Sequence, residues 1–279
     1  MAEIKAQLIM KLRQMTNAGI MDCKHALVET EGDLDAAVDL LRKKGMATAA
    51  KKAGREAREG AIAQYISPDS RLGVLVEVNC ETDFVAKNEM FREFANKIAK
   101  TLAENPQADL EELRTDAVAR IRENIQISRH ARLEVEGNGI VAAYIHTGAK
   151  VGVLVEVGAG KAETINNETF KQLVKDITLQ IAAGSPVAVA REDLDPKLVE
   201  KEKEIYANSD VVKNKPPQAV EAIIKGKLEK FFQGICLMDQ GFVKRNSEVS
   251  VREHVAEVAK QLADEIAIRR FVRYQVGEA

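Results

Sequence analysis

The sequence predicts an α+β protein. A small helical unit comes first, then two related halves that each combine an antiparallel sheet with helices, with an antiparallel helical hairpin inserted in the second. Three observations carry this reading. Apolar residues recur at helical spacing through the first fifty or so residues. From Ala61 the period changes from 3.6 to 2. The six-residue run GVLVEV occurs at Gly73–Val78 and again at Gly152–Val157, each time in a strand ahead of an amphipathic helix. The expected boundaries are 1–54 for the helical unit, 55–139 for the first half and 140–279 for the second, with the hairpin at about 194–233.

In the helical unit, Ile4, Leu8, Leu12 and Met15 line one face, and Asn17-Ala18-Gly19 breaks the helix. Met21-Asp22 opens a second helix through Leu27. Gly32-Asp33 starts a third, with Leu34, Ala37, Val38 and Leu41 on one face and a stop at Gly45. Three helices of this size form a compact bundle of the kind used for binding. The Ala-rich, basic stretch 46–60 reads as a solvated linker or exposed helix; its functional alternative is a contact for an acidic partner.

Ile62, Gln64 and Ile66 fall in one strand, Ser67-Pro68-Asp69-Ser70 is turn chemistry, and Leu72–Val78 is the next strand. A helix with Phe91, Phe94, Ala95, Ile98 and Leu102 on one face ends at Asn105-Pro106, and another spans about Leu110–Asn124. The pattern then repeats. Strands at Arg132–Val135, Ile140–His146 and Val151–Val157 precede a helix with Phe170, Leu173, Val174, Ile177 and Ile181 on one face. Helices at Pro196–Ala207 and Pro217–Phe232 make the hairpin, the second with an apolar stripe of Val220, Ile223, Ile224, Leu228 and Phe231. A helix at Val249–Ala263 and a strand at Ile266–Val276 close the chain, the strand completing a sheet.

Composition excludes several functions. The net charge of −2 argues against a general affinity for phosphate backbones. With no Trp and 4% aromatic residues, the chain lacks stacking platforms for single-stranded nucleic acid. Cys23, Cys80 and Cys236 are odd in number and far apart, which points to a reducing compartment rather than a disulfide framework. No signal peptide and no apolar run of membrane-spanning length is read, so a cytoplasmic location is expected.

Enzyme motifs fail on inspection. GNGIVA at Gly137–Ala142 is followed by a β-run, whereas a dinucleotide fingerprint needs a helix start. GAGK at Gly158–Lys161 lacks the phosphate-loop spacing. His25, His130, His146 and His254 show no metal-ligand spacing. Cys80 has no sequence-local base and reads as a buried structural thiol. No catalytic residue, cofactor or metal site is expected.

The stretch NCETDFVAKN remains. Thr82 and Asp83 are good N-cap residues ahead of the helix that contains Phe91. Phe84 and Phe91 are seven residues apart, so Phe84 can lie on the buried face of that helix. The functional reading instead stands it at the tip of a rigid strand–helix corner, where an aromatic makes a good wedge. Periodicity does not choose between the two.

Two stretches resemble the signatures of bacterial elongation factor Ts: LRQMTNAGIMDCKHAL at Leu12–Leu27 and EVNCETDFVAK at Glu77–Lys87. YIHTGAKVGVLVEV, AAGSP, the helical hairpin and the closing RRFVRYQVGE follow in similar order, so the resemblance covers nearly the whole chain. It implies a guanine nucleotide exchange factor for the GTPase elongation factor Tu, with no nucleic acid or membrane bound directly. The N-terminal helices would be a ubiquitin-associated-like domain that docks through Arg13, Ile20 and Met21, Ile20 standing where Met is common. The corner Thr82, Asp83, Phe84 and Val85 would enter the GTPase, with Phe84 the wedge and Asp83 its polar neighbour, disturbing the magnesium site and releasing GDP. The second half would contact the partner's third domain. Asn17 and His25 stand where Gly and Lys are common, at surface positions. Gln180 stands where some members carry His, so no role is carried over to it. Nor are the contacts of the C-terminal helical module found in some members. The alternative from a different class is a scaffold or chaperone-like partner that holds a GTPase without speeding exchange.

Overall fold

The computed structural model describes residues 5–16, 18–213 and 215–278; Asn17, at the first predicted helix break, lies outside them. The N-terminal helices are α1 (Ala6–Thr16), α2 (Ile20–Glu29) and α3 (Leu34–Lys52). They share a core of Leu12, Cys23, Ala26, Leu27 and Ala37. Asp33 caps α3 by accepting a hydrogen bond from the Ala36 amide at 3.0 Å. The expected stop at Gly45 is not there: α3 continues to Lys52. Gly45 is a packing residue, since a Cβ built on it would lie 3.4 Å from the Ala119 Cβ. Its helix-breaking cost of about 1 kcal/mol relative to Ala is offset by the close approach of the two helices. Much of the stretch read as linker or exposed helix is therefore helical, and Ala49 within it is buried.

The α+β fold follows in two units. In the first, β1 (Glu59–Ile66) and β2 (Leu72–Cys80) lead into α4 (Asp83–Lys87), α5 (Glu89–Glu104), α6 (Glu111–Ile121) and β3 (Gln126–Glu134). In the second, β4 (Gly139–Ile145) and β5 (Val151–Ala159) lead into α7 (Glu168–Gly184), the hairpin of α8 (Pro196–Ala207) and α9 (Pro217–Ile235), α10 (Val251–Leu262) and β6 (Ile266–Gln275). Each unit forms a three-stranded antiparallel sheet, in the orders β1-β2-β3 and β4-β5-β6. The strand read from Arg132 as the start of the second repeat begins at Gln126 and completes the first sheet instead. It is an edge strand whose residues alternate between exposed and half-buried, so its polar sequence hides its period. The helix expected over Leu110–Asn124 ends at Ile121, because Arg122 adopts a left-handed φ of 66°.

The two sheets stack face to face, which explains the composition of GVLVEV. Val74, Val76 and Val78 point to the helices of the first unit, and Val153, Val155 and Val157 to those of the second. Leu75 and Leu154 meet between the sheets, with Ile62, Leu133, Val135 and Val141. Both strands are thus buried on both faces. The leading glycines are needed for this contact. A Cβ on Gly73 would lie 2.5 Å from Val141 and 2.7 Å from Leu154, and one on Gly152 would lie 2.4 Å from Ile62 and 3.1 Å from Leu75. Side chains at these points would force the sheets apart.

The glutamate of each copy is buried and paired with arginine on the third strand of its sheet, at a matching irregularity of register. Glu77 accepts from Arg129 at 2.8 Å. Glu156 accepts from Arg269 at 2.8 Å and Arg270 at 2.7 Å. Burial pushes the Glu156 carboxyl up, but its hydrogen bonds and charge contacts with Arg269 and Arg270 outweigh this and hold it below the ordinary glutamate range. A folded-state value below the unfolded value of about 4.3 contributes stability that is complete above that pH and is lost as pH falls through the depressed value. Urea unfolding of Glu156→Gln and the natural protein, compared from about pH 7 to about pH 3, should show a stability gap that is widest near neutrality and closes in acid. A gap that does not change with pH would show that shape, rather than charge, holds the site.

The hairpin is antiparallel: Val199, early in α8, packs with Phe232 and Ile235, late in α9. The apolar stripe of α9 is half-buried. Arg191 holds its root, bonding Glu229 at 2.7 Å and Asp239 at 3.0 Å and lying over the Phe232 ring. Among the described residues, no helix is long and apolar enough to cross a membrane.

Candidate functional site

The corner between β2 and α5 is built by two helix starts in succession. Thr82 has extended backbone and caps α4, its hydroxyl accepting from the Val85 amide at 3.3 Å. After five residues the chain turns extended again at Asn88, whose side chain accepts from the Met90 amide at 2.8 Å and caps α5. Thr82 and Asp83 therefore do not start the helix that contains Phe91. The seven-residue spacing from Phe84 to Phe91 crosses a break, so the two side chains need not share a face. Phe91 is fully buried under the first sheet, whereas Phe84 is 81% exposed. The projecting reading of Phe84 is the one the fold adopts.

The rest of the corner holds Phe84 in place. Ala86 is buried in the first unit's core and Val85 packs against it. Asp83 is half-buried and pairs with Lys87 at 2.7 Å, one helical turn on. The hydrogen bond from Lys87 holds its carboxyl below the usual aspartate range. Beneath, the Cys80 thiol donates to the Thr82 carbonyl at 3.2 Å, and burial pushes its pKa up to about 12. A thiol that remains protonated is a poor nucleophile, so Cys80 is structural.

The sequence reading missed the turn that follows α6. The Glu123 carboxylate accepts from the Glu81 amide at 2.9 Å, the Thr82 amide at 3.0 Å and the Thr82 hydroxyl at 2.6 Å. In return, Glu81 accepts from the Asn124 amide at 2.6 Å, and this hydrogen bond lowers the Glu81 pKa. One glutamate in a polar turn carries no sequence signal for such a contact; only the packing of α6 brings it to the corner. The neighbouring Arg122 reaches the other way and pairs with Asp22 of α2 at 3.1 Å.

That pair ties the corner's support to the N-terminal helices, next to two of the residues singled out there. Ile20 and Met21 open α2 and are 48% and 58% exposed, and Arg13 is exposed on α1. Gln180, by contrast, is buried in α7. Its amide donates to Gln240 at 3.1 Å, and its carbonyl accepts from the Val243 amide at 2.9 Å. His25 is exposed on α2. Lys161 of the rejected phosphate-loop match donates its ammonium to the Ala263 carbonyl at 2.8 Å, at the end of α10. The arrangement at the corner has the character of a contact surface: a rigid, solvent-facing aromatic with a carboxylate beside it.

The family model described as elongation factor TS matches residues 81–278, starting at the corner. Elongation factor Ts of Symbiobacterium thermophilum is 44% identical over 285 residues, covering 100% of this chain and 93% of that one. The Trichlorobacter lovleyi protein of the same name is 41% identical over 291 residues, covering 99% and 93%. That of Desulfovibrio desulfuricans is 41% identical over 285 residues, covering 99% of both. With its two stacked sheets, capped corner and near full-length likeness to these proteins, the chain belongs to the elongation factor Ts family.

Proposed function

We propose that this protein is a guanine nucleotide exchange factor for elongation factor Tu, acting in the cytoplasm during translation elongation. The corner Thr82–Val85 enters the GTPase near its magnesium and nucleotide. Phe84 is the wedge and Asp83 its polar neighbour. Residues 1–54 form a docking domain that binds through Arg13, Ile20 and Met21, and the second core half touches the partner's third domain. The observation that carries the reading is the exposure of Phe84 on a corner whose backbone is tied down on both sides.

The physics needs no covalent step. Mg²⁺ neutralises phosphate charge, so shifting the partner's ion weakens its hold on GDP. Binding Phe84 in a pocket of the GTPase contributes on the order of 1.5–3 kcal/mol towards that distortion. Linkage is reciprocal: if this protein weakens GDP binding, nucleotide weakens the binding of this protein by the same factor, so the complex dissociates when GTP enters. The protein needs no catalytic group or cofactor of its own.

The test is the release rate of a fluorescent GDP analogue from elongation factor Tu. It should rise with added protein and saturate. Binding without any rise would overturn the proposal and leave the scaffold or chaperone-like reading in its place.

A further inference from the structure

We infer that Glu123 is a positioning residue for the Phe84 corner, acting by clamping the two backbone amides that precede α4. The inference rests on the proposal that Phe84 enters the partner. It adds how the chain keeps an exposed aromatic in one orientation.

A helix of five residues is too short to be stable by its own hydrogen bonds, so its position is set by what holds its ends and underside. The underside is Val85 and Ala86 against the core. The far end is the Asn88 cap. At the near end, where the chain leaves β2, the Glu81 and Thr82 amides and the Thr82 hydroxyl all donate to the Glu123 carboxylate. Hydrogen bonds to a charged acceptor are about twice as strong as neutral ones. The hydroxyl bond also orients Thr82: by donating to Glu123, Oγ1 turns a lone pair to the Val85 amide. One carboxylate thereby sets both the exit direction of the strand and the first turn of α4.

Glu123 is itself held. It follows the left-handed Arg122 and precedes Asn124, which is fully buried and donates its side-chain amide to the Arg55 carbonyl at 2.6 Å. The bond from the Asn124 amide to Glu81 completes a two-way clasp between the segments. Preorganisation of this kind lowers the entropy lost when Phe84 is bound.

The experiment is a double-mutant cycle on GDP release, joined to amide hydrogen exchange on the isolated chain. Glu123→Ala should slow stimulated release about tenfold, the loss expected from removing charge-assisted hydrogen bonds. Glu123→Gln should recover most of it, because its carbonyl oxygen still accepts from both amides. In a Phe84→Ala background, with residual release measured at raised protein concentration, Glu123→Ala should have little further effect. In the chain alone, Glu123→Ala should speed exchange at the Val85 and Ala86 amides, neither of which touches Glu123, and leave Ile98 in α5 unchanged. If Glu123→Ala does not fold, Glu123→Asp, which withdraws the carboxylate by one methylene, takes its place with the same expected directions.

Full activity with unchanged protection at Val85 and Ala86 would overturn the inference, as would an equal loss in the Phe84→Ala background. Should Phe84→Ala alone leave release intact, the wedge reading fails. The amide protection then decides by itself whether Glu123 holds the corner.

Discussion

Phe84→Ala is expected to slow stimulated GDP release about thirtyfold, the equivalent of about 2 kcal/mol for a central aromatic contact. The side chain is 81% exposed and lies outside every core cluster of the described residues, so its removal should leave thermal stability within about 0.5 kcal/mol of the natural protein. The effect should fall on the maximal release rate at saturating protein more than on the concentration that gives half of it. Under the proposed function the wedge would make its contact where nucleotide leaves, whereas Arg13, Ile20 and Met21 would supply docking at a distance in the sequence. Asp83→Ala should do less, because Asp83 already pairs with Lys87 in water and exposed pairs contribute little. A stable Phe84→Ala protein that stimulates release at the natural rate would remove Phe84 from the mechanism and direct attention to Arg13, Ile20 and Met21.

The second large effect concerns the fold. Arg129→Ala should lower unfolding free energy by about 3 kcal/mol, the range for removing one partner of a buried ion pair. Glu77 is nearly inaccessible, and among the described residues Arg129 is its only guanidinium partner; the Asn79 side chain and the Gly277 amide also bond to it. Arg129 also donates to the Gln275 carbonyl at 2.9 Å and lies 4.4 Å from the Tyr274 ring, so it ties the first sheet to the last strand of the second. Arg270→Ala should cost distinctly less, because Arg269 remains on Glu156. Denaturant midpoints of the two variants decide the matter: equal losses would mean that redundancy at Glu156 has no energetic weight and that the ion pairs are incidental to the sheet contact.

Much of the fold was legible because two kinds of information are local. Binary patterning distinguishes the N-terminal helices from the hairpin strands, since a 3.6-residue period and a 2-residue period cannot be satisfied by the same backbone. The repeated GVLVEV marks two equivalent strands because both have the same surroundings: valines toward helices, leucine toward the other sheet, glutamate toward an arginine. The element that misled was β3. As an edge strand it buries little, so its first residues show no apolar alternation to read. Gly45 misled for the opposite reason: a glycine chosen for close helix packing has the same letter as one chosen to end a helix.

By itself, then, the amino-acid sequence determined the α+β class, the order of the elements, the hairpin and, through its two signatures, the resemblance to elongation factor Ts. Only the tertiary structure decided where Phe84 points. Seven residues of spacing place two side chains on one face only if one helix runs through both, and the Asn88 cap interrupts it. One of the contacts at the start of the short α4 is the hydrogen bond from the Thr82 hydroxyl to Glu123, which the packing of α6 brings there. Such a contact depends on distances through space, and periodicity records only distances along the chain.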